Sequence, residues 1–215
     1  FDNLQMSLVS LMRGVEFREN EIILKKDLSQ LDILALDGVS MISQILGDYV
    51  IVAGYVAILF GRSRVTEDID VIINPSSVTM DNIVKLYDEL NRAGFWVFNA
   101  ISPKTGFEIL KNGLAIRMAR RENVIPNLEV KAARKPLEFE ALKKRVRVVL
   151  NDKELYISPI ELNIAYKLYL GSQKDIEDAV YLYCIFQENI KMSALLSYMR
   201  RLDIELEKIG DILRC

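Results

Sequence analysis

The stretch YVIVAGYVAILFGRSRVTEDIDVII, residues 49–73, decides the fold of this chain. It opens with a short apolar, β-branched run that ends at Gly54, as is typical of a buried strand. Residues 55–60 suit one or two turns of helix closed by Gly61, because glycine is favoured just past a helix C-terminus. A second apolar run, Ile69 to Ile73, predicts the next strand.

Two aspartates, Asp68 and Asp70, stand at the start of that second strand. Residues i and i+2 of a strand project from the same face, with Cα atoms roughly 6–7 Å apart. Two carboxylates held side by side repel each other, and a divalent cation such as Mg²⁺ (or Mn²⁺) removes that repulsion. The chain has 30 acidic residues in 215, so about four acid-x-acid pairs are expected by chance. A half-exposed strand with solvated acids is therefore the alternative.

The composition limits the chemistry that the chain can perform. Hydrophobic residues make up 51% and charged residues 27%, with a net charge of −2, which is a globular balance without a global positive field for nucleic acid. Histidine is absent, which excludes histidine-based triads and histidine metal ligands. Two cysteines are too few for a disulfide framework or a zinc cluster, and no long apolar run predicts a membrane span. A reduced, cytoplasmic setting is expected.

The order of predicted elements indicates an α/β (α+β) fold, with a small mixed sheet of about four to six strands flanked by helices and a helical C-terminal unit. We expect residues 1–48 to be N-terminal helices, 49–150 the core and 151–215 the C-terminal domain. A polar, glycine-containing loop is predicted over 102–112, and a hairpin over 146–157 is expected to lead out of the sheet. Strands are predicted at 95–98, 114–119 and 128–132, and helices at 4–14, 25–47, 76–92, 158–171, 172–186, 192–200 and 201–213.

The central stretch resembles the nucleotidyltransferase (polymerase β-like) superfamily, whose signature is a Gly-Gly or Gly-Ser turn followed, about a dozen residues later, by Asp-x-Asp. It is most similar to the small stand-alone branch that includes AbiEii-like and minimal nucleotidyltransferase toxin–antitoxin proteins. The matching residues are Gly54, Tyr55, Gly61, Arg64, Thr66, Asp68, Ile69 and Asp70. The chain departs from the pattern at Ala53, which stands where the family has its first glycine.

Two later segments extend the resemblance to about residues 49–187. Glu129, an acid inside an apolar strand, matches the family's third acidic residue. The alternative for Glu129 is an edge-strand glutamate paired with Lys131 or Arg117. In the segment SPIELNIAYKLYLGSQKDIEDAVYLY, the matching residues are Lys167, Lys174, Asp175 and Asp178, while Ser172 replaces an expected arginine. Their alternative roles are structural, as a helix cap, as charge balance and as a lysine whose stem packs on an apolar face.

The resemblance implies Mg²⁺-dependent transfer of a nucleoside monophosphate from a nucleoside triphosphate (NTP), such as ATP, to a hydroxyl. Asp68, Asp70 and Glu129 would be the catalytic metal ligands. The NTP would be bound by Gly54, Tyr55, Arg64, Thr66, Lys167 and Lys174. The related enzymes suggest a tRNA end or a protein hydroxyl as acceptor, and a small molecule is a further choice. The alternatives are an inactive nucleotide-binding or antitoxin-like module of the same fold, and a structural domain without a ligand.

One basic run bears on the acceptor. Lysines and arginines are concentrated over residues 131–147, interleaved with Glu138 and Glu140. Such a run is usually a solvated helix face. The more specific alternative is a surface that binds the phosphate backbone of a nucleic acid. The run favours a tRNA acceptor, whereas the net negative charge favours a protein or a small molecule. The sequence predicts neither the nucleotide preference nor the oligomeric state.

Overall fold

The computed structural model describes residues 14–18, 21–205, 210, 213 and 215. Within these ranges the strands are β1 (Val15–Arg18), β2 (Glu21–Leu24), β3 (Tyr49–Val52), β4 (Asp68–Ile73), β5 (Phe95–Val97), β6 (Ile116–Arg120), β7 (Asn127–Ala132), β8 (Val146–Leu150) and β9 (Lys153–Ile157). The α-helices are α1 (Gln30–Leu46), α2 (Gly54–Leu59), α3 (Met80–Arg92), α4 (Pro103–Lys111), α5 (Pro136–Lys143), α6 (Ile160–Leu170), α7 (Gln173–Phe186) and α8 (Met192–Arg201).

All nine of these strands form one mixed sheet, in the order β1-β2-β8-β9-β3-β4-β7-β6-β5. The pairs β2/β8, β3/β9 and β4/β7 are parallel, and the remaining neighbours are antiparallel. The predicted α/β class with a mixed sheet and flanking helices is confirmed. The expected count of four to six strands was too low, because β1 and β2 extend one edge and the β8–β9 hairpin lies inside the sheet and does not lead out of it.

Helix α1 covers one face of the centre of the sheet. It begins at a capping box in which the Ser29 side chain accepts from the Asp32 N–H and Asp32 accepts from the Ser29 N–H. A Cβ on Gly38 would lie 2.6 Å from a methyl carbon of Leu128 on β7, so the glycine permits a close approach of helix to sheet. The apolar side chains of β4 and β7 that alternate with the acids, Ile69 and Val71 among them, are fully buried. The acids occupy the opposite face.

The loop predicted over 102–112 was wrong, since residues 103–111 form helix α4. Ser102 caps this helix by accepting from the Thr105 N–H, and Pro103 occupies its first turn. Gly106 in its middle faces Tyr87, whose hydroxyl oxygen would lie 2.3 Å from an added Cβ. The glycine that suggested a loop is therefore needed for packing of α4 against α3.

Other boundaries differ by a few residues or lie outside the described ranges. Helix α6 begins at Ile160, with Pro159 as its N-cap residue, two residues later than the predicted start at 158. Helix α7 is capped by Ser172, whose side chain accepts from the Asp175 N–H. The helix predicted over 4–14 lies almost wholly outside the described residues, and so does much of the one predicted over 201–213.

The two cysteines form one disulfide, which the expected reduced setting does not predict. A disulfide joins Cys184 of α7 to Cys215, with the two Cα atoms 5.3 Å apart. In the described part of the chain, none of the helices combines the length and the apolar character needed to cross a membrane.

Candidate active site

A row of side chains crosses four neighbouring strands on the face opposite α1. Val52 of β3 is the register partner of Asp70 on β4, and Asp70 is the partner of Glu129 on β7. Glu129 is in turn the partner of Arg117 on β6. Asp68 precedes Asp70 by two residues and shares its face. The fold therefore brings Asp68, Asp70 and Glu129 together from two separate parts of the chain.

The carboxylates of this row repel one another in a partly dry environment. Burial, followed by the charges of Asp68 and Glu129, raises the pKa of Asp70 to about 6, while Lys131 and Lys167 act in the opposite direction. Such a raised value indicates that the negative charge on Asp70 is incompletely compensated. Crowded carboxylates of this kind are suited to a hard cation, which would relieve the repulsion.

Glu129 has another partner at present. Its Oε2 atom lies 2.8 Å from Nη2 of Arg117, and both side chains are partly exposed. Within the ranges that the structure describes, no three Asp, Glu or Cys side chains are already disposed to hold a metal ion. Carboxylate oxygens such as those of Asp68, Asp70 and Glu129 are donors that Mg²⁺ prefers, but Arg117 competes with a cation for Glu129. One alternative for Glu129 was an ion pair with Arg117 on an edge strand. The ion pair is present, but β7 is a central strand of the sheet.

The turn between β3 and α2 lies beside these acids. Ala53 has φ 61° and ψ −133°, a conformation in which glycine is favoured over other residues. The next residue, Gly54, is buried, and a Cβ added to it would lie 2.1 Å from Nη2 of Arg64. The Arg64 guanidinium therefore rests directly against Gly54. This close contact explains the glycine at position 54, and the backbone angles explain why a glycine would suit position 53.

A buried network of charges holds Arg64 in this place. Asp178 of α7 is fully buried and accepts two hydrogen bonds from Arg64, at 3.0 Å each. Lys167 of α6, which is 4% exposed, lies 3.1 Å from Asp178 and 2.6 Å from Asp175. Burial acts to raise the pKa of Asp175, but hydrogen bonds from Lys167 and Ser172 outweigh it and lower the value. The network joins α6 and α7 to the loop that leads into β4.

The remaining residues predicted to bind the triphosphate lie in varied surroundings. Tyr55 is fully buried, and its hydroxyl donates to Asp32 at 2.8 Å. The Thr66 hydroxyl donates to the backbone carbonyl of Asp68 at 3.2 Å. Lys174 is exposed near the start of α7. Arg64 thus lies at the glycine turn, and the charge of Lys167 acts on Asp70. Thr66 contacts the backbone of Asp68, and the Tyr55 hydroxyl faces the core.

The sequence interpretation missed Asp32. This residue is fully buried, and its carboxylate also accepts from Lys26 Nζ at 3.0 Å and from the Ser29 backbone at 2.9 Å. By accepting from the Tyr55 hydroxyl, Asp32 holds helix α2, which begins at Gly54, in place. A signal was present, because Ser29 followed three residues later by an acid is a capping pattern ahead of an apolar helix.

The basic run over 131–147 is largely neutralised by acids. Ion pairs join Lys131 to Glu138, Lys144 to Glu140, Arg145 to Asp48, and Arg147 to both Glu21 and Glu154. These cations contact several different parts of the chain. The solvated, internally paired interpretation of this run accounts for these contacts.

Two cavities of about 360 Å³ lie away from the acid row. One is lined by residues of β1 and the end of α7, including Phe17 and Ile185, and the other by α1 and β9, including Ser40 and Tyr156. Neither is lined by Asp68, Asp70 or Glu129. The chemical character of the acid row, and not the shape of these cavities, identifies it as the candidate site.

Among the comparisons with known proteins, those with solved structures give matches. No family model matches the sequence, and no curated protein matches it. Among solved structures, the chain is similar to an antigenic nucleotidyltransferase-like protein from Paracoccidioides brasiliensis, with 18% sequence identity and a TM-score of 0.48. That similarity covers 86% of this chain and 94% of the other.

Proposed function

We propose that this chain transfers a nucleoside monophosphate from an NTP to a hydroxyl acceptor and requires Mg²⁺ or Mn²⁺. The observation that carries the proposal is the register that pairs Asp70 with Glu129 and leaves Asp68 on the same face. Three carboxylates that repel one another cost free energy unless a ligand compensates them, and this repulsion adds to burial in raising the pKa of Asp70. The sequence resemblance over residues 49–73 supports the same reaction class.

Each residue has a role that follows from its position. Asp68 and Asp70 would hold the divalent cation, which neutralises charge on the triphosphate and the leaving group. Glu129 would either share a second cation or orient the attacking hydroxyl. Arg64, which rests against Gly54, and Lys167, whose charge acts on Asp70, would counter phosphate charge. Phosphoryl transfer depends mainly on positioning and electrostatic stabilisation, so the absence of histidine is compatible with it.

The acceptor that we favour is a protein side chain or a small molecule, with a tRNA end as the competing choice. A surface for a phosphate backbone needs uncompensated cations. Because five acids pair with the basic run, this surface offers little net positive charge. A tRNA acceptor would have to be bound elsewhere on the chain.

A nucleotide-binding module without turnover is the second candidate. Two observations favour it: Arg117 holds Glu129, and the Arg64 guanidinium lies against Gly54. Arg117 competes with a cation for Glu129, and Arg64 occupies the space against Gly54 where a phosphate would approach. A module of this kind would bind NTP in a metal-dependent way without transferring it.

Incubation with labelled NTPs and Mg²⁺ distinguishes the two candidates. The protein is mixed with total tRNA in one series and with cell extract in another, beside Asp68→Ala and Asp70→Ala. We expect label on a protein or small-molecule acceptor with the unmodified chain, and none with either variant. Metal-dependent NTP binding without transfer would favour the binding module. Absence of both would overturn the assignment of the acid row.

A further inference from the structure

Two tyrosine rings lie together on the exposed side of helix α6. Tyr166 is 36% and Tyr169 is 56% exposed. Their ring centroids are 6.0 Å apart, and the ring planes are inclined by 31°. Leu170, in the next position, is 47% exposed. A contiguous exposed surface of this character is commonly a binding site, and its flat aromatic faces are suited to another flat ring.

The helix that carries the tyrosine pair is linked to the turn beside the acid row. Tyr166 directly precedes Lys167, which lies 3.1 Å from Asp178 in the buried network. Asp178 also accepts from Arg64, whose guanidinium rests against Gly54 at that turn. Helix α6 is therefore joined through Asp178 and Arg64 to the glycine turn that would receive the triphosphate.

We propose that Tyr166 and Tyr169 form a stacking surface for the nucleobase of the NTP whose phosphates are bound at Asp68 and Asp70. This inference rests on the proposed function. The ribose separates the base from the phosphates, so a base platform belongs beside the metal site and not within it. The tyrosines lie on α6, the helix that the buried network links to the glycine turn beside the acid row. Stacking uses the π-face that every base has, so the platform tolerates all four bases.

Binding of two ligands, one with a base and one without, tests the platform. The ligands are α,β-methylene ATP and inorganic tripolyphosphate, each titrated calorimetrically with Mg²⁺ present. Tyr166→Ala should weaken binding of the ATP analogue by roughly 5- to 150-fold, as expected for loss of base stacking. Binding of tripolyphosphate should stay the same. Tyr166→Phe keeps the ring and should retain affinity for the analogue.

Trp96→Ala serves as the matched control, because Trp96 is also 36% exposed but lies on the edge strand β5. This variant should bind both ligands like the unmodified chain. The platform is overturned if Tyr166→Ala binds the analogue normally, or if it loses both ligands equally. If neither ligand binds the unmodified chain, or binding ignores Asp68→Ala and Asp70→Ala, the proposed function fails and the platform fails with it. Binding that depends on the aspartates and not on Tyr166 rejects the platform alone.

Discussion

Arg117 holds Glu129 across strands β6 and β7, with Nη2 and Oε2 2.8 Å apart, while Asp70 lies opposite Glu129 on its other side. A cation at the aspartates and the guanidinium of Arg117 therefore compete for one carboxylate. The competition is mild, because partly exposed ion pairs contribute only about 0.2–1 kcal/mol. This relationship sets the first prediction.

Arg117→Ala should increase the affinity for Mn²⁺ by about 1.5- to 5-fold, because Glu129 is released to the cation. Electron paramagnetic resonance of free Mn²⁺ measures the affinity without any need for turnover. Arg92→Ala is the matched control, since Arg92 forms an exposed ion pair with Glu89 on helix α3. Equal affinities of Arg117→Ala and the control would mean that Glu129 takes no part in metal binding.

Asp70→Asn should stabilise the protein at pH 7 while removing metal binding. The pKa of Asp70 is about 6 in the folded chain, against an ordinary value of 3.8. Between about pH 3.8 and about pH 6 the folded state binds more protons at Asp70 than the unfolded state does. The contribution of Asp70 to the free energy of unfolding is therefore present at low pH and is lost as the pH rises through about 6. We expect a gain of about 1–2 kcal/mol at pH 7, after allowance for screening.

Urea denaturation at pH 4 and at pH 7 measures the effect of this substitution. The stabilisation by Asp70→Asn should be smaller at pH 4, where the native carboxyl is already protonated. Asp88→Asn, at an exposed position on α3, should leave stability unchanged at both values. A loss of stability at pH 7 in Asp70→Asn would show that Asp70 is well compensated within the fold.

Ala53→Gly should increase the free energy of unfolding by about 1 kcal/mol. Ala53 has φ 61°, and a non-glycine residue in such a region costs about 1–3 kcal/mol. The greater flexibility of glycine in the unfolded chain offsets part of that gain. Chemical denaturation of Ala53→Gly beside Ala53→Val checks the sign, since the β-branched residue should destabilise. A less stable glycine variant would contradict strain at this turn.

Asp178→Asn should destabilise the protein by about 3–5 kcal/mol, because Arg64 and the buried Lys167 lose their shared counter-charge. Thermal or urea denaturation gives the value. The control is Lys174→Ala, at an exposed position of the same helix, for which we expect a change of about 0.5 kcal/mol or less. Similar effects of the two substitutions would show that the buried network contributes little to the fold.

The central part of the fold follows from local sequence signals. The strand, the glycine turn and the short helix over residues 49–59 were predicted from a β-branched run followed by Gly54, and they are present. Glu129 was assigned through the family resemblance, and its strand does pair in register with that of Asp70. Apolar and acidic residues alternate clearly at the start of β4 and within β7, because one face of each strand is buried.

Signals that depend on distant contacts were missed. Strands β1 and β2 have four residues each, too few to show a period, and β2 pairs with β8, which lies more than a hundred residues further along. Gly106 suggested a loop because its partner Tyr87 comes from another helix. The pairing of Arg117 with Glu129 could be named only as an alternative, since register between strands is set by the assembled sheet.

The most direct test of the account is a crystal structure with Mn²⁺ and α,β-methylene ATP, in which anomalous scattering locates the metal. We predict a peak with oxygens of Asp68 and Asp70 at the roughly 2.1 Å typical of Mg²⁺–oxygen ligands, with Glu129 turned away from Arg117 toward the site. No metal peak at the aspartates, with Glu129 still bound to Arg117, would contradict the claim that these three carboxylates form a metal centre.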